Sequence, residues 1–454
     1  MTNVVDYINS NKNRYIRELT EFLRIPSIST LEENKKDMMK GAEFVSSKLR
    51  DAGMNKVSVI KTDGHPLVYA EWLEAPGKPT IVIYGHYDVQ PIDPIELWET
   101  APFDPTIRNG KIYARGATDD KGQMYTHIKS VEAFLKTKGA LPINVKFIIE
   151  GEEEIGSTSL SKFVDENNEM LKCDAILISD TALFAPGMPT ITLGLRGITY
   201  MQVELTGPNR DLHSGTFGGT VANPINILAE MITKLMDKNG HILIPGFYDE
   251  VQKISRLERN EFKKLPFSEK SYAKELGVRE LKGEKSFTTL ERSWIRPTLD
   301  CNGILGGFTG DGAKTVLPSK ATAKISMRLV PNQNPIKIAR LFTKYIKQIT
   351  PKSVKVTVKD LHGGYPVMVP IDSKATTAAA DAMTKAFGKQ TVFMREGGSI
   401  PVVSRFVSKL NVTPVLMGFG LNTENLHSPN EHFNLKHFQL GILSSAYFME
   451  EFAK

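Results

Sequence analysis

The sequence predicts an α/β protein: a discontinuous domain with a mainly parallel sheet flanked by helices, interrupted by an inserted α+β satellite domain. Three observations predict it. From residue 1 to about 188, helical and strand patterns alternate; from about 189 the strands become half-polar; from about 370 the first pattern returns. Alternating strands and helices imply a parallel sheet with helices on its faces. The expected boundaries are 1–188, 189–369 and 370–454. The 454 residues are enough for two or three domains of roughly 150 residues each.

The N-terminal stretch reads as an amphipathic helix over about 4–24, with Val4, Val5, Ile8, Tyr15, Ile16, Leu19, Phe22 and Leu23 on or near one stripe. Further helices are expected at about 37–53, 121–138 and 158–168, and strands at about 56–61, 67–73, 79–84, 143–150 and 174–179. The runs TIVIYGHYDV and DAILISDT are short, apolar and end in polar residues, as parallel strands do when both faces are covered. Ligands of such sheets bind outside the carboxyl ends of the strands, which is where His86, Asp88, Glu152 to Glu154 and Asp180 fall. Beyond 189, ITLGLRGITYMQVEL and KATAKISMRLV alternate like half-exposed antiparallel strands, and NPINILAEMITKLM reads as a helix. Residues 255 to 300 form a charged helical insertion. SKATTAAADAMTKAF, NVTPVLMGFG and LKHFQLGILSSAYFMEEF then read as helix, strand and closing helix.

Composition excludes several classes. The net charge is +6, but pairs such as Lys35-Lys36 and Lys263-Lys264 sit among acidic residues. A nucleic-acid binder gathers its charge into a patch or stripe. The two cysteines, Cys173 and Cys301, have no partner at zinc-finger or redox spacing, which points to a reducing compartment. The N-terminus lacks the long apolar core and cleavage-like site of a signal peptide, and no run approaches the ~18 apolar residues of a membrane span. The expectation is a cytoplasmic protein without nucleic-acid or membrane partners.

Five stretches carry chemistry when taken together: YGHYDVQP with His86 and Asp88, YARGATDDKG with Asp119 and Asp120, EGEEEIGS with Glu150 and Glu152 to Glu154, ILISDT with Asp180, and ENLHSPNE with His427. Read singly, each has a plainer reading as a core histidine, a helix cap, a solvated acidic turn or an exposed loop. Together they form a mixed nitrogen and oxygen donor set, which suits Zn²⁺, Mn²⁺ or Co²⁺ rather than a cysteine-rich structural zinc. Two such ions need about three ligands each, with one carboxylate able to bridge, and they activate a water for attack on a carbonyl. A further glutamate, not a ligand, is then needed to take the water's proton.

These motifs, together with WETAPFDPTIRNGKIYARGATDDKGQ, DLHSGTFGG, GAKTVLP, MRLVP and MREGGSIPVV, resemble the co-catalytic zinc peptidase family. That family includes carnosinases, cytosolic non-specific dipeptidase, aminoacylase and succinyl-diaminopimelate desuccinylase. The resemblance spans nearly the whole chain. It implies that His86 and Asp180 bind one metal, that Glu154 and His427 bind a second, and that Asp119 bridges them. It also implies that Asp88 orients His86, that Glu153 is the general base, and that the Asp119-Asp120 bond is cis. The family's glutamate pair stands before x-Gly-Ser, so the register selects Glu153 and Glu154 and leaves Glu152 as a solvated, dispensable spectator. Glu150 receives no role.

By the same resemblance, His213 reaches across a homodimer interface to the partner's oxyanion, a donor aimed where charge develops. Arg328 would grip a substrate carboxylate, since its fork matches that group, and Thr315, Ser399 and Gly398 would make further substrate contacts. The Asp-Asp-Lys-Gly motif, the long satellite and the GGSIP and GAKTVLP versions resemble the dipeptidase branch. The expected activity is hydrolysis of dipeptides or short peptides with a free C-terminus. The alternative is an N-acyl-amino-acid amidohydrolase. A nucleotide-binding protein is a remote third, because Ala313 puts the GDGAKT run out of register with a phosphate loop.

Overall fold

The computed structural model describes residues 1–454, the side chain of Pro401 apart. The strand Thr80–His86 is buried from Ile81 onward. It lies parallel to Asn144–Glu150 on one side and to Ala175–Ile178 on the other. Thr413–Leu416 continues the parallel order beside Ala175–Ile178. Outward from this centre the pairing turns antiparallel, through Leu67–Trp72 and Lys56–Ile60 at one edge and Thr190–Leu195 and Val367–Met368 at the other. Val392–Glu396 runs parallel to Thr190–Leu195.

The helices Lys35–Ala52, Lys121–Lys138, Lys374–Phe387 and Leu435–Phe452 cover this sheet. Residues from both ends of the chain, from Val4 to Phe452, share one hydrophobic core. Burying each large aliphatic or aromatic side chain there is worth roughly 1.5–3 kcal/mol. The helix Lys121–Lys138 ends at Gly139, whose φ of 67° lies in the left-handed region that glycine adopts without strain. The expected N-terminal helix is two helices, Thr2–Ser10 and Lys12–Leu23. Asn11 separates them, and its Nδ2 donates to the Tyr7 carbonyl at 2.8 Å. A short polar side chain that competes for backbone acceptors favours such a break.

A second, antiparallel sheet runs in the order Thr298–Gly306, Lys320–Leu329, Gly197–Thr206, Lys355–Gly364. It has its own core, including Met201, Val203, Leu205, Ile325, Met327 and Phe342, under the helices Pro224–Thr233 and Pro335–Ile349. Gly197–Thr206 alternates buried and half-buried residues strictly. The run from 191 that read as one alternating strand is therefore two strands joined at Arg196. The first is wholly buried in the large sheet and only the second alternates. The charged insertion forms short helices, Arg256–Lys263, Glu269–Glu275 and Thr289–Trp294, each started by a Ser or Thr side-chain cap. The GDGAKT run is followed by the two-residue strand Val316–Leu317, not by the helix a phosphate loop requires.

Beneath the carboxyl ends of the parallel strands, the helix Lys121–Lys138 is tied to the sheet by a buried histidine. His127 Nε2 lies 2.8 Å from Ser179 Oγ, and Ser179 donates to the Met417 carbonyl at 2.6 Å. The Ser179 proton is therefore committed, and His127 donates from Nε2. Burial pushes the imidazole from its ordinary 6.5 down to about 3. Between those values the unfolded chain binds a proton that the folded chain refuses, so stability falls as pH drops through this window. Lowering the pH from 7 to 5 should cost about 2 kcal/mol at this residue, at 1.36 kcal/mol per unit below 6.5. Urea unfolding at both pH values should show the gap between wild type and His127→Asn narrowing by that amount on acidification. A constant gap would mean that His127 does not carry this pH dependence.

Candidate metal centre

Each chemistry-bearing motif follows a parallel strand or begins a helix at the same edge of the sheet. His86 ends Thr80–His86, and Asp88 follows two residues on. Asp120 is the residue before the helix Lys121–Lys138, after the cis bond from Asp119. Glu153 and Glu154 occupy a single turn just past Asn144–Glu150. Asp180 follows Ala175–Ile178, and His427 lies on the loop beyond Thr413–Leu416.

Asp119 is the hub. Its Oδ1 lies 3.1 Å from His86 Nε2, and its Oδ2 lies 2.9 Å from His427 Nε2. The His427 nitrogen is also 3.4 Å from Glu154 Oε2. Two groups of potential ligand atoms share Asp119: His86, Asp119 and Asp180, and Asp119, Glu154 and His427. Within each, all donor atoms lie within 4.8 Å of one another. Asp88 is buried, with its Oδ1 3.4 Å from His86 Nδ1. The same carboxylate accepts the backbone N–H groups of Glu153 at 3.2 Å and Glu154 at 3.1 Å. The Asp88 carbonyl is closer still, 3.1 Å from His86 Nδ1, so one residue holds both the imidazole and the glutamate turn.

The electrostatics show what such a cluster lacks. Burial, with added repulsion from Asp180, Glu154 and Asp119, pushes the Glu153 carboxyl well above the carboxylate range. Burial and Asp119 do the same to Glu154. Burial pushes Asp180 to about 6, again with Asp119 adding to the effect. For Asp119 burial acts in the same direction, but the hydrogen bonds from His427 and His86 prevail and hold it below the usual range. Asp120 Oδ1 is buried without a hydrogen-bond partner. Carboxylates this crowded out of water need compensating positive charge, and two imidazoles cannot supply it for all of them. Hard or borderline divalent cations fit this donor set.

The rest of EGEEEIGS corrects one expectation. Glu152 is not a solvated spectator: it is buried and accepts from the backbone N–H of His65 at 2.7 Å, the backbone N–H of Ser159 at 2.8 Å and Ser159 Oγ at 3.0 Å. It satisfies a free donor in the first turn of the helix Thr158–Glu166, which the preceding Ser157 does not cap. Ser157 Oγ instead donates to Glu150 Oε1 at 2.8 Å, as does Tyr84 OH at 2.8 Å. Burial pushes Glu150 to about 8, so it is largely a neutral acid at pH 7 under the strand ends.

Other partners were not singled out in the sequence. Glu431, the last residue of ENLHSPNE, accepts from Arg115 Nη1 at 2.9 Å and from the backbone N–H groups of Gly116, Thr118 and Asp119 at 2.9, 3.0 and 3.1 Å. It pins the loop that presents Asp119. Gln90, in YGHYDVQP, donates to Glu154 Oε2 at 2.7 Å. Both lay inside motifs already noted, but a long-range partner leaves no periodic signal.

A cavity of about 280 Å³ opens on this cluster, bordered by Asp119, Glu153, Asp180, Gly398, Ser399 and His427. Arg328, on the second sheet, donates from Nη1 to Ser399 Oγ at 2.8 Å, so it reaches the cavity's rim. Arg196 fastens the glycine turn beside it, donating from Nε to the Gly397 carbonyl at 2.9 Å and from its backbone N–H to the Gly398 carbonyl at 3.0 Å. His213 and Thr315 lie close to each other, through a 3.0 Å bond from the Ser214 N–H to the Thr315 carbonyl, but neither borders this cavity. His213 Nδ1 accepts from the backbone N–H groups of Gly215 and Thr216 at 3.0 and 3.2 Å, which leaves Nε2 as its outward donor.

Residues 82–451 match the model of peptidase family M20/M25/M40. The Cys-Gly metallodipeptidase dug1 of Schizosaccharomyces pombe is 32% identical over 464 aligned residues, covering 99% of this chain and 97% of that protein. The crystal structure of human carnosine dipeptidase 1 superposes with a TM-score of 0.85 at 33% identity, covering 99% of this chain and 98% of that one. A metallo-carboxypeptidase of the M20 family from Sulfolobus solfataricus superposes with a TM-score of 0.87 at 35% identity, covering 97% and 99%. This chain belongs to peptidase family M20/M25/M40 and is a metallopeptidase of the dipeptidase-like branch, an enzyme that uses divalent metal.

Proposed function

We propose that the chain hydrolyses the peptide bond of dipeptides and short peptides with a free C-terminus, using two divalent cations, Zn²⁺ or Mn²⁺ with Co²⁺ possible. His86 and Asp180 would hold one cation, Glu154 and His427 the other, and Asp119 both. The observation that carries the reading is the Asp119 carboxylate, with one oxygen on each of two imidazoles and a further carboxylate completing each group. When bound, the cations would polarise the scissile carbonyl and acidify the attacking water. Glu153 borders the cavity and belongs to neither ligand group. Its carboxylate takes the proton from the water and passes it to the leaving amine. Asp88 keeps His86 oriented.

Arg328 and Ser399 receive the substrate's C-terminal carboxylate, with Gly398 giving close access. The protein acts as a homodimer in which the partner subunit's His213 donates from Nε2 to the oxyanion and the partner subunit's Thr315 adds a substrate contact. The exposure of both residues and the free Nε2 support this arrangement. The satellite comprises 189–369, inserted between the catalytic segments 1–188 and 370–454. Two unpaired thiols, Cys173 and Cys301, support a cytoplasmic setting.

The likeness to a metallo-carboxypeptidase favours one second reading, release of the C-terminal residue from longer peptides. A panel of dipeptides, longer peptides and N-acyl amino acids separates the readings: dipeptides should be cleaved fastest. Turnover of acyl amino acids alone would overturn the proposal in favour of an amidohydrolase.

The mechanism predicts that Glu153→Gln keeps its metal content and loses roughly 10³-fold in kcat, the scale of general acid–base catalysis. Near-wild-type turnover would remove Glu153 from the base role. Glu152→Ala leaves buried donors unsatisfied and should lose about 1–3 kcal/mol of stability in urea titration, while kcat/KM stays within about threefold at a temperature where the variant is folded.

A further inference from the structure

The charged insertion is fastened to both sheets. Toward the second sheet, the Lys285 N–H donates to the Asn239 carbonyl at 2.9 Å, and Arg296 donates to Glu284 at 2.6 and 2.8 Å. The Arg296 guanidinium also lies 4.9 Å from the centre of the Tyr248 ring, which packs on the core of that sheet. Toward the large sheet, Phe262, Leu265, Trp294 and Ile295 share a small hydrophobic cluster with Val392 and Met394 of the strand Val392–Glu396. The Trp294 ring meets Phe262 edge-on at 4.9 Å and Phe184, just past the strand Ala182–Leu183, at 6.0 Å. Arg395, on the large sheet, donates from Nε to Glu258 Oε1 of the insertion at 2.9 Å, and both side chains are largely withdrawn from water.

The insertion leads directly to Arg328. The helix Thr289–Trp294 is followed by the strand that begins at Thr298, and Thr298 is the register partner of Arg328. Arg328 comes from the second sheet, whereas the clustered acids and histidines come from the large one. Its reach to them depends on how firmly the two sheets are held together. We propose that Glu258 and Arg395 are positioning residues: with Trp294 they latch the insertion to the large sheet and so hold Arg328 at a fixed reach from the metal centre. This rests on the peptidase reading above, in which Arg328 grips the substrate's terminal carboxylate, and deepens it. Removing either partner of a pair this far from water leaves an uncompensated charge, which drives the two surfaces apart.

The test uses metal-loaded wild type, Glu258→Gln, Arg395→Gln and Arg395→Lys, each held below the onset of its own thermal unfolding. The kcat and KM of a dipeptide are compared with those of its C-terminal amide, which lacks the carboxylate. The wild type should prefer the free acid. In Glu258→Gln and Arg395→Gln that preference should fall roughly 10-fold or more, since a misplacement of about 1 Å can cost about 100-fold. The loss should fall mainly on the KM of the dipeptide, with amide turnover within about twofold of wild type, and Arg395→Lys should recover part of it. An unchanged preference, or equal losses on both substrates, would overturn the assignment. Should these variants fail to fold, Trp294→Phe loosens the same contact and must lower the preference in the same sense; an unchanged preference there refutes the latch. A wild type that does not distinguish dipeptide from amide would show that Arg328 grips no carboxylate. The inference would then fall with that reading, a failure visible before any variant is made.

Discussion

The constraint on which the site depends is the burial of several carboxylates at the carboxyl ends of parallel strands. Asp88, Asp119, Asp120, Glu150 and Glu152 are buried, and Glu153, Glu154 and Asp180 crowd against them. Such a cluster is costly unless each oxygen is compensated. The fold meets the cost in three ways. Backbone N–H groups and serine hydroxyls satisfy Asp88 and Glu152, and burial keeps Glu150 largely protonated against Tyr84 and Ser157. The remaining acids converge on Asp119 and two histidines, where cations belong.

Rigidity follows from the same arrangement. Asp88 joins the strand carrying His86 to the turn carrying Glu153 and Glu154. Glu431 draws the C-terminal segment onto the loop carrying Asp119, and Glu424 accepts from Thr118 Oγ1 at 2.9 Å in the same loop. Residues more than 300 positions apart thereby hold one carboxylate in place. Groups that must coordinate with sub-ångström tolerance need such outer partners.

Much of this was legible in the sequence, for identifiable reasons. Apolar runs ending in polar residues mark strands covered on both faces, so the parallel centre and the location of His86 and Asp180 were readable from TIVIYGHYDV and DAILISDT. The choice of Glu153 and Glu154 within the acidic run came from the family resemblance, whose glutamate pair stands before x-Gly-Ser. The fate of Glu152 was not legible. Whether an acidic side chain in a turn faces water or caps a helix depends on where His65 and Ser159 end up, which is a tertiary fact. The break at Asn11 and the turn at Arg196 were missed because the hydrophobic pattern continues across both. Glu431 was hidden for a related reason: its partners are mostly backbone groups, which leave no spacing rule.

The central claim is that the carboxylate cluster is built around two cations sharing Asp119. Calorimetric titration of chelator-treated protein with Zn²⁺ and with Mn²⁺, followed by thermal unfolding of each loaded form, tests it most directly. The account predicts two equivalents per chain, a rise in Tm on loading because the ions bind the folded state, and the loss of both effects in Asp119→Asn. A single equivalent, or an Asp119→Asn variant that binds like the wild type, would contradict it.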